Sequence, residues 1–275
     1  MERFALVVNR QKDPALAVAG EICKTLTAYG KKCTIADLPD GETVDVGDGI
    51  PEDTECMIVL GGDGTLLQAA RNARKLDIPL LGVNLGTLGY LAEVEQSGIK
   101  EALRQLADGR YTIEERMMLS GRVNGREECA LNDIVITRNG PLQVVRLTVR
   151  VDGQLLTEYQ SDGIILATPT GSTGYSLSAG GPIVEPEART ILITPVSPHT
   201  LTNRSIVLSP HAHVQVEIGE GKNGRKLTLE ASFDGGSRIP METGEVIDIA
   251  CAEAVTKILR LKQVSFLEMV RHKLG

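Results

Sequence analysis

Asp63 stands alone among glycines, in Gly61-Gly62-Asp63-Gly64-Thr65. An apolar run, Met57 to Leu60, leads in, and Leu66, Leu67, Ala69, Ala70 and Ala73 follow at helical spacing. The pattern reads strand, glycine turn, helix, with Thr65 as the predicted helix N-cap. Glycines let the backbone turn tightly and let a bulky polyanion approach. The free N–H groups of a first helical turn favour negative charge there. Such a turn suits phosphate, and a lone carboxylate in it is out of place unless it handles a proton or a metal. The four residues alone could also be an ordinary surface turn. Two common phosphate loops are excluded. No G-x-x-x-x-G-K-[ST] occurs anywhere, and Leu67 breaks G-x-G-x-x-G.

A second stretch, Ser161 to Pro182, follows the buried-strand pattern Gly163 to Ala167 with a crowd of hydroxyls and glycines. Thr168, Thr170, Ser172, Thr173, Ser176 and Ser178 offer many donors and acceptors at low steric cost. They suit the edges of a base and a ribose, with Tyr175 as a stacking plate.

The elements that position these stretches change character along the chain. Arg3 to Asn9, Cys33 to Ala36, Met57 to Leu60 and Ile78 to Val83 read as strands. Helical patterns lie between them: one from Asp13-Pro14 to Gly30, with Asp13 as cap, and one from Thr65 to Lys75. Asp37 to Thr54 reads as an acidic loop, and Ile99 to Leu106 as a short helix. Alternating strands and helices predict an open, mainly parallel sheet with ligands at the strands' C-terminal ends. Asp63 and Asn84 lie at such ends. After Gly109 short alternating runs take over, separated by turns such as Asn139-Gly140, Asp152-Gly153 and Asp234-Gly235. We therefore expect an α/β nucleotide-binding domain over 1–96 and an all-β, sandwich-like domain over 97–261. A C-terminal helix, 262–275, is expected to pack back on the first domain.

The chain has 275 residues, 42% hydrophobic and 24% charged, which predicts a globular soluble protein with a proper core. A net charge of −7 argues against nucleic-acid binding. No run approaches the ~20 apolar residues that span a bilayer, and the opening Met1-Glu2-Arg3 does not resemble a signal peptide. Cys23, Cys33, Cys56, Cys129 and Cys251 form no C-x-x-C and are expected to be reduced, buried small hydrophobes in a cytoplasm. His211 and His213 alternate on a strand without a third metal ligand, so a solvated face is expected there.

Together the two glycine-rich stretches resemble the NAD kinase family. The resemblance runs through Gly61-Gly62-Asp63-Gly64-Thr65, Asn132-Asp133, Asp162-Gly163 with Thr168 to Thr173 and Tyr175-Ser176, Pro198-His199-Thr200-Leu201, and Asp234-Gly235. It implies transfer of the γ-phosphoryl group of ATP to the 2′-hydroxyl of the adenosine ribose of NAD, giving NADP. It also implies that Asp63 is the proton acceptor and that Gly61, Gly62, Gly64 and Thr65 line the phosphate-donor loop. NAD would be held by Asp63, Gly64, Asn132, Asp133, Asp162, Thr173, Gly174, Tyr175, Ser176 and Ser178. The cofactor implied is a divalent cation such as Mg2+, carried by ATP with no dedicated protein metal site. A homo-oligomer, dimer or tetramer, is implied as well; charge and hydropathy already lead us to expect no nucleic-acid or membrane partner. Four residues depart from the family pattern: Gly174 for Ala, Asp133 for Glu, Gly236 for Gln, and Ser197 for a larger residue. Competing readings are a lipid or sugar kinase sharing the first glycine turn, and a nucleotide sensor without activity.

Overall fold

A computed structural model describes residues 1–13, 16–37, 49–73, 76–86, 89–138, 140, 144–199, 204–261 and 266–274. Pro14, most of the acidic loop, the first residue of the Asn139-Gly140 turn and Thr200-Leu201 lie outside them. The elements in order are β1 (Arg3–Val8), α1 (Ala17–Ala28), β2 (Lys32–Asp37), β3 (Cys56–Gly61), α2 (Asp63–Ala73), β4 (Leu80–Asn84), β5 (Val94–Glu95) and α3 (Ile99–Ala107). Then come β6 (Thr112–Val123), β7 (Arg126–Ala130), β8 (Asp133–Arg138), β9 (Val145–Val151), β10 (Gln154–Ser161), β11 (Gly163–Ala167), α4 (Tyr175–Ser178) and β12 (Ile191–Val196). The last are β13 (Ile206–Leu208), β14 (Val214–Ile218), β15 (Thr228–Phe233), β16 (Ser237–Glu242), β17 (Val246–Arg260) and α5 (Phe266–Leu274).

Two compact units result: 1–115 with 256–275, and 116–255. The division falls at 115/116 and not at the expected 96/97. The reason is α3, whose Ile99, Ala102, Leu103 and Leu106 are buried in the same core as Phe4, Leu6 and Ile58. α5 belongs to the first unit.

In the first unit β2, β1, β3 and β4 pair in parallel in that order. All six residues of β3 and all five of β4 are buried, as a sheet covered on both faces requires. α1 and α3 bury one stripe each against β1, β3 and β4. α2 lies over Gly82, where a Cβ would come within 2.6 Å of the Leu66 side chain.

Two predicted starts move. α1 begins at Ala17, because the Asp13 carboxylate accepts the N–H groups of Ala17 at 2.8 Å and Ala19 at 3.0 Å. α2 begins at Asp63, so Thr65 is inside the first turn and is not the N-cap. Its side chain packs under Gly61, where a Cβ would meet Thr65 Oγ1 at 2.3 Å. The cysteine expectation is also corrected. α1 reverses at Gly30 (φ +75°) into β2, which brings Cys23 and Cys33 together as a disulfide, with Cα atoms 5.4 Å apart. Cys56 and Cys129 are free and buried, while Cys251 is free and half-buried.

The second unit is antiparallel. One sheet runs β13-β12-β11-β8-β15-β16. It packs face to face on β9, β14 and β17. Ile134, Ile164, Ile193 and Phe233 meet Leu147, Val216 and Ile249 in one apolar core. On the outer face, Val135, Ile165, Ala167 and Leu192 are covered by Ala179 and Val184, so the second glycine-rich stretch folds over this sheet.

Candidate functional site

In the first unit, Gly61, Gly62, Asp63, Gly64 and Thr65 form one turn at the end of β3. The side chain of Asn9, at the end of β1, donates to Thr65 Oγ1 at 3.2 Å and ties this turn to its neighbour. The Asp63 carboxylate accepts three backbone N–H groups, Tyr90 to Oδ2 at 2.7 Å and Leu91 and Ala92 to Oδ1 at 3.1 Å each. Gly89 makes room for it, since a Cβ there would fall 2.0 Å from Oδ1. A carboxylate offers about four acceptor positions. Both on Oδ1 are taken and one on Oδ2 remains. The acid is therefore held rigidly, with a single direction left for an incoming hydroxyl.

In the second unit, the chain breaks between β7 and β8 at Leu131-Asn132. Asp234, at the turn after β15 (φ +51°), accepts the N–H groups of Leu131 at 2.8 Å, Asn132 at 2.7 Å and Asp133 at 3.2 Å. From the other side Thr168 donates its N–H to the Asn132 carbonyl at 2.8 Å and its hydroxyl to the Leu131 carbonyl at 2.6 Å. Gly171 lies so close that a Cβ would come 2.0 Å from the Asn132 carbonyl oxygen. The clamped Asn132 keeps a buried Oδ1 without a hydrogen-bond partner. Burial, and then the Asp234 carboxylate, push Asp133 up to about 7. At neutral pH Asp133 can therefore both donate and accept a hydrogen bond beside Asn132.

The likeness to known proteins covers the whole chain. Residues 39–111 match the model of the ATP-NAD kinase N-terminal domain and residues 131–261 that of the ATP-NAD kinase C-terminal domain. The NAD kinase of Agathobacter rectalis is 45% identical, over 100% of this chain and 99% of its own length.

The chain belongs to the NAD kinase family.

The NAD kinase of Lachnoclostridium phytofermentans is 41% identical over 100% of this chain and 99% of its own. A crystal structure of yeast NADH kinase complexed with NADH superposes with a TM-score of 0.83 at 25% identity, covering 100% of this chain and 88% of that one. A structure of an NAD kinase from Archaeoglobus fulgidus in complex with ATP shares the fold, with a TM-score of 0.76. The chain thus phosphorylates NAD to NADP with ATP.

The expected site residues fall into several groups. Gly61 to Thr65 stay together. Asn132, Asp133 and Gly174 also meet: a Cβ on Gly174 would lie 3.5 Å from Asn132 Nδ2 and 3.8 Å from Asp133 Oδ2. Thr173 and Tyr175 flank Gly174, with Tyr175 48% exposed and Ser178 exposed. Ser176 is turned inward, buried against the Thr194 hydroxyl at 3.1 Å. Asp162 stands apart. It lies at the opposite end of β11 from Thr168, about 20 Å along a strand, and is ion-paired to Arg138.

Several of the hydroxyls read as ligand contacts are spent on the loop itself. Ser172 donates to the Pro169 carbonyl at 2.6 Å and accepts the Val184 N–H at 3.0 Å. The sequence reading missed Asn9, Gly89 and the clamping role of Asp234. Asp234 left a signal as an Asp-Gly turn and motif match, and Gly89 as part of the glycine turn Leu85 to Tyr90, but neither showed what it holds. Asn9 and Gly89 act through neighbours distant in sequence.

Proposed function

We propose that Asp63 orients the 2′-hydroxyl of the adenosine ribose of NAD and accepts its proton as the γ-phosphoryl group of ATP is transferred. The observation that carries this is the Asp63 carboxylate, pinned by three N–H groups with one acceptor position left on Oδ2. A ribose hydroxyl is a poor nucleophile until its proton leaves, so a positioned acceptor lowers the barrier. Catalysis then comes mainly from positioning and electrostatics. The donor substrate is ATP with its divalent cation, which neutralises charge on the phosphates. Gly61, Gly62, Gly64 and Thr65 would line the donor side.

Asn132, Asp133 and the Thr173 to Tyr175 turn would take the adenosine half of NAD. The orphan Asn132 Oδ1 suits an amino-group donor such as the adenine edge, and Tyr175 supplies a plate for stacking. Asp162 and Ser178 would reach other parts of the dinucleotide. Self-association as a dimer or tetramer and residence in the cytoplasm belong to the same proposal. No described helix is long and apolar enough to cross a membrane.

The test is to incubate the purified protein with ATP, magnesium and NAD and to assay the product with an NADP-specific dehydrogenase. We expect NADP. A phosphorylated product that such a dehydrogenase rejects would place the phosphoryl group elsewhere and remove the role given to Asp63.

A further inference from the structure

The sequence has no lysine at the usual place after the glycines, yet the fold brings one there from another strand. β1, β3 and β4 are parallel neighbours, so their C-terminal ends lie side by side. The Asn9 N–H bonds to the Leu60 carbonyl and the Leu85 N–H to the Gly61 carbonyl, both at 2.9 Å. After β1 the chain turns at once: Lys12 and Asp13 donate their N–H groups to the Asn9 carbonyl at 2.9 and 3.1 Å. This turn swings Lys12 back across the strand ends. A Cβ on Gly62 would lie 3.0 Å from Lys12 Nζ, and one on Gly86 would lie 3.6 Å from it. The ammonium thus sits over two glycines, on two different strand ends, where side chains would fill the space.

A second donor points to the same place. Asn84, the last residue of β4, is 2% exposed. Its Oδ1 accepts the Gly86 N–H at 2.9 Å, which sets the orientation of the amide. Its Nδ2 is buried with no hydrogen-bond partner. A buried donor left unpaired costs free energy unless a ligand satisfies it. Asp63 does not occupy either group, because its carboxylate is turned to residues 90–92. No carboxylate among the described residues pairs with the Lys12 ammonium.

We infer that Lys12 and Asn84 are anion-binding residues of the donor subsite, the ammonium and the amide N–H holding a phosphoryl group of a nucleoside triphosphate over Gly62 and Gly86. The role is the one a lysine after a phosphate loop plays elsewhere, supplied here by the turn after a neighbouring strand. It rests on the reading that ATP is the donor.

Lys12 is exposed, so Lys12→Met should fold. Two measurements go together: the Michaelis constants for ATP and NAD in NADP formation, and the affinity for inorganic triphosphate by calorimetry. Loss of a charge-assisted contact should raise KM for ATP and weaken triphosphate binding about tenfold to a hundredfold. KM for NAD should move by less than about threefold, and Lys12→Arg should recover most of the loss. If wild type makes NADP and Lys12→Met leaves both ATP and triphosphate unchanged, the subsite is wrong and the activity stands. If wild type makes no NADP but binds triphosphate through Lys12, the subsite stands and the function proposed above falls.

Discussion

Replacing Asp63 by Asn removes a charge and also turns one of its two acceptor atoms into an NH2 group. Three backbone N–H groups face that side chain, so at least one meets a donor. An unsatisfied buried N–H costs about 1–3 kcal/mol, and the variant should lose stability on that order. Turnover should fall further, by about 10²–10⁴-fold, the usual range for losing a general base. Raising magnesium should not restore it, as it would if Asp63 mainly held the metal. Gly89→Ala separates charge from position. It leaves the carboxylate intact, but the new Cβ would overlap it, so the acid or the 89–92 segment must shift. We expect turnover to fall in this variant too. Near-normal turnover in Asp63→Asn would sink the catalytic assignment. Gly174 differs from these, because its φ is −97° and the nearest atom to an added Cβ is the Gly171 carbonyl oxygen at 3.3 Å. Gly174→Ala should change stability by no more than about 1 kcal/mol and leave KM for NAD nearly unaltered. A large rise in that constant would show that the missing methyl makes room for substrate.

Among the elements, the most legible were those that bury both faces or obey a strong period. β1, β3 and β4 are continuous apolar runs, and α1 and α2 carry a clear stripe, so all five were read within a few residues. β6, β10 and β17 were not. β6 opens Thr-Ile-Glu-Glu-Arg, β10 carries exposed Leu155 and Leu156 beside charge, and β17 alternates Ala, Cys and Glu. Their pairing comes from partners far along the chain, which a local pattern does not show. The same holds for the candidate site. Glycine turns and motif residues were visible, whereas the clamps on them are long-range. Asp234 holds the Leu131 to Asp133 backbone from 101 to 103 positions away. The burial of Asp133, with the Asp234 carboxylate beside it, has a measurable consequence. Asp133 titrates near 3.8 when free and about 7 in the fold. Between about pH 4 and pH 7 the unfolded chain has lost this proton while the native state keeps it, so stability falls as pH rises through that window. Asp133→Asn abolishes the effect. Its unfolding free energy should gain on wild type as pH rises from about 4 to 7, by a few kcal/mol at most, with its melting temperature gaining in step. Parallel curves for the two proteins would show that Asp133 carries no such burial cost.

At the scale of the whole molecule, the question is where the reaction finds positive charge. The chain is acidic overall, with a net charge of −7, and its donor substrate carries several negative charges of its own. Among the described residues no group of three or more His, Cys, Asp or Glu side chains gathers to hold a metal. His213, which alternates with His211, has its Nε2 3.7 Å from one Asp248 carboxylate oxygen, half-exposed. A lone lysine over the glycines would balance only part of the charge that develops on transfer. Under the proposed function a divalent cation would arrive with ATP and leave with the product nucleotide, held mainly by phosphate oxygens. Two outcomes follow from a cation that belongs to the substrate and not to the fold. Exhaustive chelation should stop NADP formation, and added magnesium should restore it in step with the magnesium–ATP complex. The same chelation should leave the melting temperature where it was, because no structural ion is removed. Full turnover in the chelator would mean that the protein's own donors suffice. A fall in melting temperature would reveal a metal bound by the protein itself, and the cation would then have to be assigned to residues and not to ATP.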